Sequence, residues 1–341
     1  MRAIAFDLGA HLVQHGAERL AALLSSGALD ETGIAHLANI LESGNLDPAG
    51  IKNLAGFFES KNLGKTGIGN FVSFLNLDSA ILTKTGTDNF AAFLSAKEPE
   101  QGLSLGGVEH LAGFFESRSL NPTGVMNFAD VLSNSNLTDK GLRSLISMFN
   151  ALDGNALAKI FSDSDAKGMV TVLQAMGTLG GNEEKFLEEV RKLQPEAAAR
   201  LFAGISQAGE NSIGSFFRGL AKLGDKESAL VVSKLSTLSS DEVKAYVNTL
   251  PGKNDEDDLT RLRNLAKGDV VAATPDEGGK KSFLDAMIGV LKGAVSFFAA
   301  HDPILPAAAQ NLASSTGKMV SALKDVLTDE FSVFHGLRDN G

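Results

Sequence analysis

His11 and His15 stand one helical turn apart, the spacing at which two imidazoles on one helix face can chelate a metal. Glu18 falls within reach of the same face, but no further His or acid completes a convincing set, so a chance neighbourhood on a helix surface is the simpler reading. Asp163-Ser164-Asp165-Ala166-Lys167-Gly168 begins like a calcium loop. It then places Lys167 at position five and Gln174 at position twelve, where a bidentate Glu is needed, and reads instead as a loop that caps a helix. Gly279-Lys280-Lys281-Ser282 ends like a phosphate-binding loop, but Thr274 stands where the leading glycine belongs and no strand precedes it. The chain has no cysteine, which removes thiol nucleophiles, thiolate metal sites and disulfides together. Its serines form no G-x-S-x-G elbow. The expectation is a protein without catalysis, cofactor or metal.

One set of polar residues does recur at a fixed interval. Arg19, His36, Asn53, Asn70, Asn89, His110, Asn127 and Ser144 each follow a glycine by three residues and have apolar neighbours. Amides and imidazoles so placed, repeated down a stack of helices, form a ladder. They either satisfy backbone groups of the adjacent turn or line a groove for an extended partner. The structural role is the stronger expectation. His36, Asn53, Asn70, Asn89, His110 and Asn127 are the candidate binding residues under the second.

The elements that hold this ladder are legible from the glycines. Gly16, Gly33, Gly50 and Gly67, then Gly86, Gly107, Gly124 and Gly141, are separated by 17 residues in five of seven steps; the steps of 19 and 21 read as loop insertions. A recurring period of this size is the signature of stacked repeats. In the unit from Gly50 the apolar residues Ile51, Leu54, Phe57 and Phe58 make one helical stripe. Three residues before most of the glycines comes a capping type, Asp30, Asp47, Thr83, Ser104, Asn121 or Thr138, and Pro48 and Pro122 follow two of them at the first helical position. Leu29, Leu46, Leu82, Leu103, Leu120 and Leu137 precede those caps, suited to pack back on the helix start. Each unit is therefore a helix of about three turns and a brief loop. Short loops predict antiparallel neighbours, hairpins that then stack. Glycine at the third helical position costs about 1 kcal/mol against alanine, which close approach of the preceding loop or helix would explain.

The string Asn62-Leu63-Gly64-Lys65-Thr66-Gly67-Ile68, followed by Asn70-Phe71-Val72, resembles the helical half of ribonuclease-inhibitor-type leucine-rich repeats. The L-x-L strand half is absent and 17 residues are too few for it, so that family is not assigned. Tetratricopeptide repeats share the doubled period but not their Trp, Tyr and Pro positions.

Beyond residue 150 the spacing relaxes while helix-and-loop units continue: Glu183 to Leu193 begins with acids, Pro195 opens the next, and Ser239 with Glu242 forms a capping box. Asp255-Glu256-Asp257-Asp258 reads as a helix start. No alternating β-branched run occurs. The predicted fold is all-α, an α-solenoid-like stack of ~17-residue repeats over 1–150, a continuing helical domain over 151–267, a linker at 268–281 and amphipathic helices over 282–341.

Composition narrows the partners. The 341 residues carry a net charge of -10, which disfavours nucleic acid. No Trp and one Tyr stand against 21 Phe, so aromatic mass is committed to packing. Met1 to Ala10, with Arg2, Asp7 and no long apolar stretch, are not expected to act as a Sec-type signal, and no stretch reaches the roughly 20 apolar residues of a membrane span. Leu284, Met287, Ile288, Leu291, Val295 and Phe298 make an amphipathic face that suits docking on protein better than on a membrane. The leading expectation is a cytoplasmic interaction or assembly scaffold with protein partners, self-association included. The alternative is a bacterial effector-type protein, exported without a Sec signal and engaging a membrane through 282–341; its 36 glycines, acidity and lack of cysteine suit export unfolded.

Overall fold

A computed structural model of the protein describes residues 14–25, 27–95, 102–180, 182–251 and 255–267. The expectations placed on His11, on the side chain of His15, on the linker at 268–281 and on the amphipathic helices of 282–341 lie outside what is described. Every described residue is helix, turn or loop, with no strand among them, and all belong to one structural unit.

The repeat region folds as α1 (Gln14–Ser25), α2 (Glu31–Glu42), α3 (Pro48–Glu59), α4 (Lys65–Leu75), α5 (Lys84–Leu94), α6 (Leu105–Glu116), α7 (Pro122–Ser133) and α8 (Asp139–Ala151). It continues as α9 (Gly154–Asp163), α10 (Ala166–Met176), α11 (Asn182–Arg191) and α12 (Pro195–Ser206). The last four are α13 (Glu210–Lys222), α14 (Asp225–Ser236), α15 (Ser240–Val247) and α16 (Asp255–Lys267). The caps act as their spacing implies. Asp30, Asp47, Thr83, Ser104 and Asn121 each accept from the N–H of the repeat glycine three residues on, and Asp165 does so for Gly168. Thr138 departs from the pattern, donating its hydroxyl to Gln174 instead. Ser239 and Glu242 form the capping box, and Asp255 to Asp258 make the first turn of α16. α4 and α5 have the length of their neighbours, so the long step between their glycines lies in the loop, as the spacing implies.

The hairpin expectation is overturned. Consecutive backbones scarcely approach one another; each helix packs on those two or three further along, and most on both. α3 lies on α1, α5 and α6; α4 on α2, α6 and α7; α9 on α6, α7 and α12. The cause is the width of the apolar surface. Gly50, Ile51, Leu54, Ala55, Phe57 and Phe58 of α3 are all buried, more than the single seam that a hairpin covers. Rings carry the contacts across the same intervals: Phe71 to Phe115 at 5.3 Å joins α4 to α6, and Phe74 to Phe128 at 5.7 Å joins α4 to α7. Phe93 to Phe149 at 5.0 Å joins α5 to α8. Each such pair adds about 0.5–1.5 kcal/mol beyond its area. Packing runs without a break across residue 150.

Candidate functional site

The six candidate residues of the ladder occupy one register position on six successive helices and do one thing. Each bonds to a carbonyl at the C-terminal end of the helix two further on. His36 Nδ1 meets Leu75 O at 2.8 Å and His110 Nδ1 meets Phe149 O at 2.7 Å. A carbonyl only accepts, so Nδ1 carries the hydrogen in both rings. Asn70 donates to Phe115 O and Asn89 to Leu132 O, both at 2.7 Å. Asn53 reaches two carbonyls, Leu94 O at 2.8 Å and Leu103 O at 3.1 Å; Asn127 reaches Phe161 O and Ser164 O, both at 2.8 Å. His36 is buried and the other five are half-buried. The last carbonyls of a helix have no partner within it, and the ladder supplies one from outside. Arg19 extends the series on Phe58 O and Ser60 O, and Arg200 takes it up again on Ser236 O and Leu238 O.

A second set of polar residues, not singled out in the sequence, runs the opposite way. From the end of a helix, Asn76, Ser95, Glu116, Ser133, Asn150 and Ser162 accept from the N-cap backbone N–H two helices earlier, at Asp30, Asp47, Gly64, Thr83, Ser104 and Asn121. Here the repeat glycines find their reason. A Cβ on Gly33 would stand 2.0 Å from Asn76 Oδ1, on Gly50 2.2 Å from Ser95 Oγ, and on Gly107 2.2 Å from Asn150 Oδ1. The leucine of the preceding loop closes the other side, Leu46 Cδ1 at 2.8 Å from the Gly50 position. A third set links helices three apart: Ser43 donates to Asp88, Ser60 to Glu109 and Ser117 to Asn155.

Both patterns lapse at α8. Ser144 holds the ladder position but bonds within its own helix, to Lys140 O. Glu183 at the start of α11 comes to Ser144 and Ser147, beside Arg143 and Glu184. Burial raises its carboxyl above the usual glutamate range, and its buried Oε1 has no hydrogen-bond partner. The cavity here measures about 590 Å³ and mixes Lys140, Arg143 and Arg191 with Glu183, Glu184 and Glu188. A cavity of about 610 Å³ between the ends of α9 and α12 is lined by Asp163, Asp165, Lys167, Gln207, Glu210 and Lys244. Both clefts carry side chains of opposite charge along their walls. Tyr246, whose hydroxyl donates to Arg261 O at 3.1 Å, is pushed above its usual range by burial. Among the described residues no group of three or more His, Asp or Glu is placed to hold a metal ion, and no helix is long and apolar enough to cross a membrane.

No protein-family model matches this chain, and neither a curated protein nor a solved structure matches it.

Proposed function

We propose that the protein is a non-catalytic helical-repeat scaffold, an α-solenoid-like stack whose outer surface receives protein partners. The observation that carries this reading is the repetition of one neighbour relation. Hydrogen bonds tie each helix from α1 to α7 to the helix two further on, and α2, α3 and α6 also to the one three further on, so the same register positions recur outside. Glu31, Lys65, Lys84, Leu105, Pro122 and Asp139, all in first helical turns, are exposed in succession. Such a row suits an extended protein surface better than a compact substrate. Leu105, at 78% exposure, is the apolar anchor of the row. His36, Asn53, Asn70, Asn89, His110 and Asn127 enter as positioning groups, because each gives a donor to a helix end.

Photo-crosslinking tests the reading. With a photoreactive residue at Lys84 or Leu105 of the full chain, one or a few defined proteins should be captured in the cells that make it. Leu105→Glu should abolish that capture while leaving the helical circular dichroism unchanged. Capture that ignores both position and the Leu105 substitution would remove the scaffold reading.

A further inference from the structure

α11 is held in the stack by less than its neighbours in the chain are. It packs on α8 and α14 and buries only Phe186, Leu187 and Val190. α10 before it buries six residues and α12 after it eight. The ladder lapses at Ser144, which bonds to Lys140 O within its own helix, and Glu183 of α11 comes to that place. Glu183 is half-buried, yet its Oε1 is shut off from solvent and has no hydrogen-bond partner. A neutral acid fits such a place far better than a carboxylate does. Burial, the largest influence, and Glu184 oppose the charged form, while Ser144, Ser147 and Arg143 favour it. Lys140, Glu188 and Arg191 line the adjoining cleft of about 590 Å³. None of the groups acting on Glu183 comes from α14, whose Asp225 is held by Lys185 at 2.8 Å.

We propose that Glu183 is a proton-operated latch: neutral, it seats α11 on α8, and ionised, it turns out into the cleft and lets α11 open locally. Opening bares Phe186, Leu187 and Val190 of α11 and uncovers Ile146 of α8, which is buried beside the cleft. The rest of the stack stays joined, because α9 lies on α12, and α10 on α12 and α13. The closed form holds the proton more tightly than the open form. The ratio of open to closed therefore grows about tenfold per pH unit from the ordinary glutamate range up to the raised pKa of Glu183, and then levels. The opening needs none of the partners proposed for the outer surface.

Hydrogen–deuterium exchange of the full chain tests it, because local opening shows as amides that exchange without global unfolding. At neutral pH the amides of α11 should be less protected than those of α6. Glu183→Gln, which cannot ionise, should slow exchange in α11 by about tenfold or more at neutral pH, and should leave it unchanged in acid below the ordinary glutamate range. The parent chain gives a second measurement that needs no variant. Its α11 protection, corrected for the intrinsic exchange rate, should fall as pH rises through and above that range. Equal protection of α11 and α6 would mean that α11 opens only with the whole fold, and overturns the proposal. So does α11 exchange that Glu183→Gln leaves unchanged or speeds at neutral pH, or α11 protection in the parent that ignores pH.

Discussion

At the scale of single residues, one glycine in the repeat and another beside it carry opposite meanings. Gly50 sits where the end of α5 meets the start of α3, and a methyl there would strike Ser95 at both Oγ (2.2 Å) and Cα (3.2 Å). Gly69, two residues past a repeat glycine in α4, has nothing within 4 Å of the same position and is exposed. Helix propensity favours alanine at both by about 1 kcal/mol. Urea unfolding should therefore show Gly69→Ala gaining up to about 1 kcal/mol, while Gly50→Ala loses about 1–3 kcal/mol through overpacking. A gain at both positions would mean the helix end is not there. Much of this was readable in the sequence. The cap, the glycine three residues later and the ladder position are all visible as types at a fixed spacing. The identity of the atom against the glycine was not, because Ser95 precedes a different loop and belongs to the repeat only once its neighbour is known.

Among elements, the informative junction is α8 with α11. The ladder stops at Ser144, and Glu183 takes the space with a raised pKa caused first by burial. The sign of the pH effect follows. The folded chain holds the Glu183 proton more tightly than the unfolded chain does. Its contribution is thus fully present below the ordinary glutamate range and is lost as pH rises through the folded pKa. Glu183→Gln removes that loss. The variant should unfold at higher urea than the parent at neutral pH, with the difference shrinking to nothing in acid; a variant less stable at neutral pH would show the carboxylate to be well supported by Ser144, Ser147 and Arg143. No periodicity announces this junction, since Glu183 reads in the sequence as an ordinary acid in a helix's first turn. Helix extents were easier: caps, prolines and apolar stripes place them to within a few residues, because those signals are local.

For the molecule as a whole, the lesson concerns what a hydrophobic stripe does and does not encode. It says which face is buried. It does not say against which helix, and the short loops pointed to adjacent hairpins. The answer lies in how wide the buried face is and in polar residues that pair across 34 to 50 positions, such as Asn127 with Phe161 and Asn53 with Leu103. The absence of cysteine makes that pairing open to direct measurement in the full chain. Cysteine pairs at 43 and 88, at 60 and 109, and at 117 and 155 each replace a side-chain contact between helices three apart. A short bismaleimide should join all three pairs within one chain at high yield, and control pairs on exposed faces of consecutive helices, such as 52 with 69, at low yield. Strong joining of the consecutive pairs with failure of the other three would contradict the packing order on which the account stands.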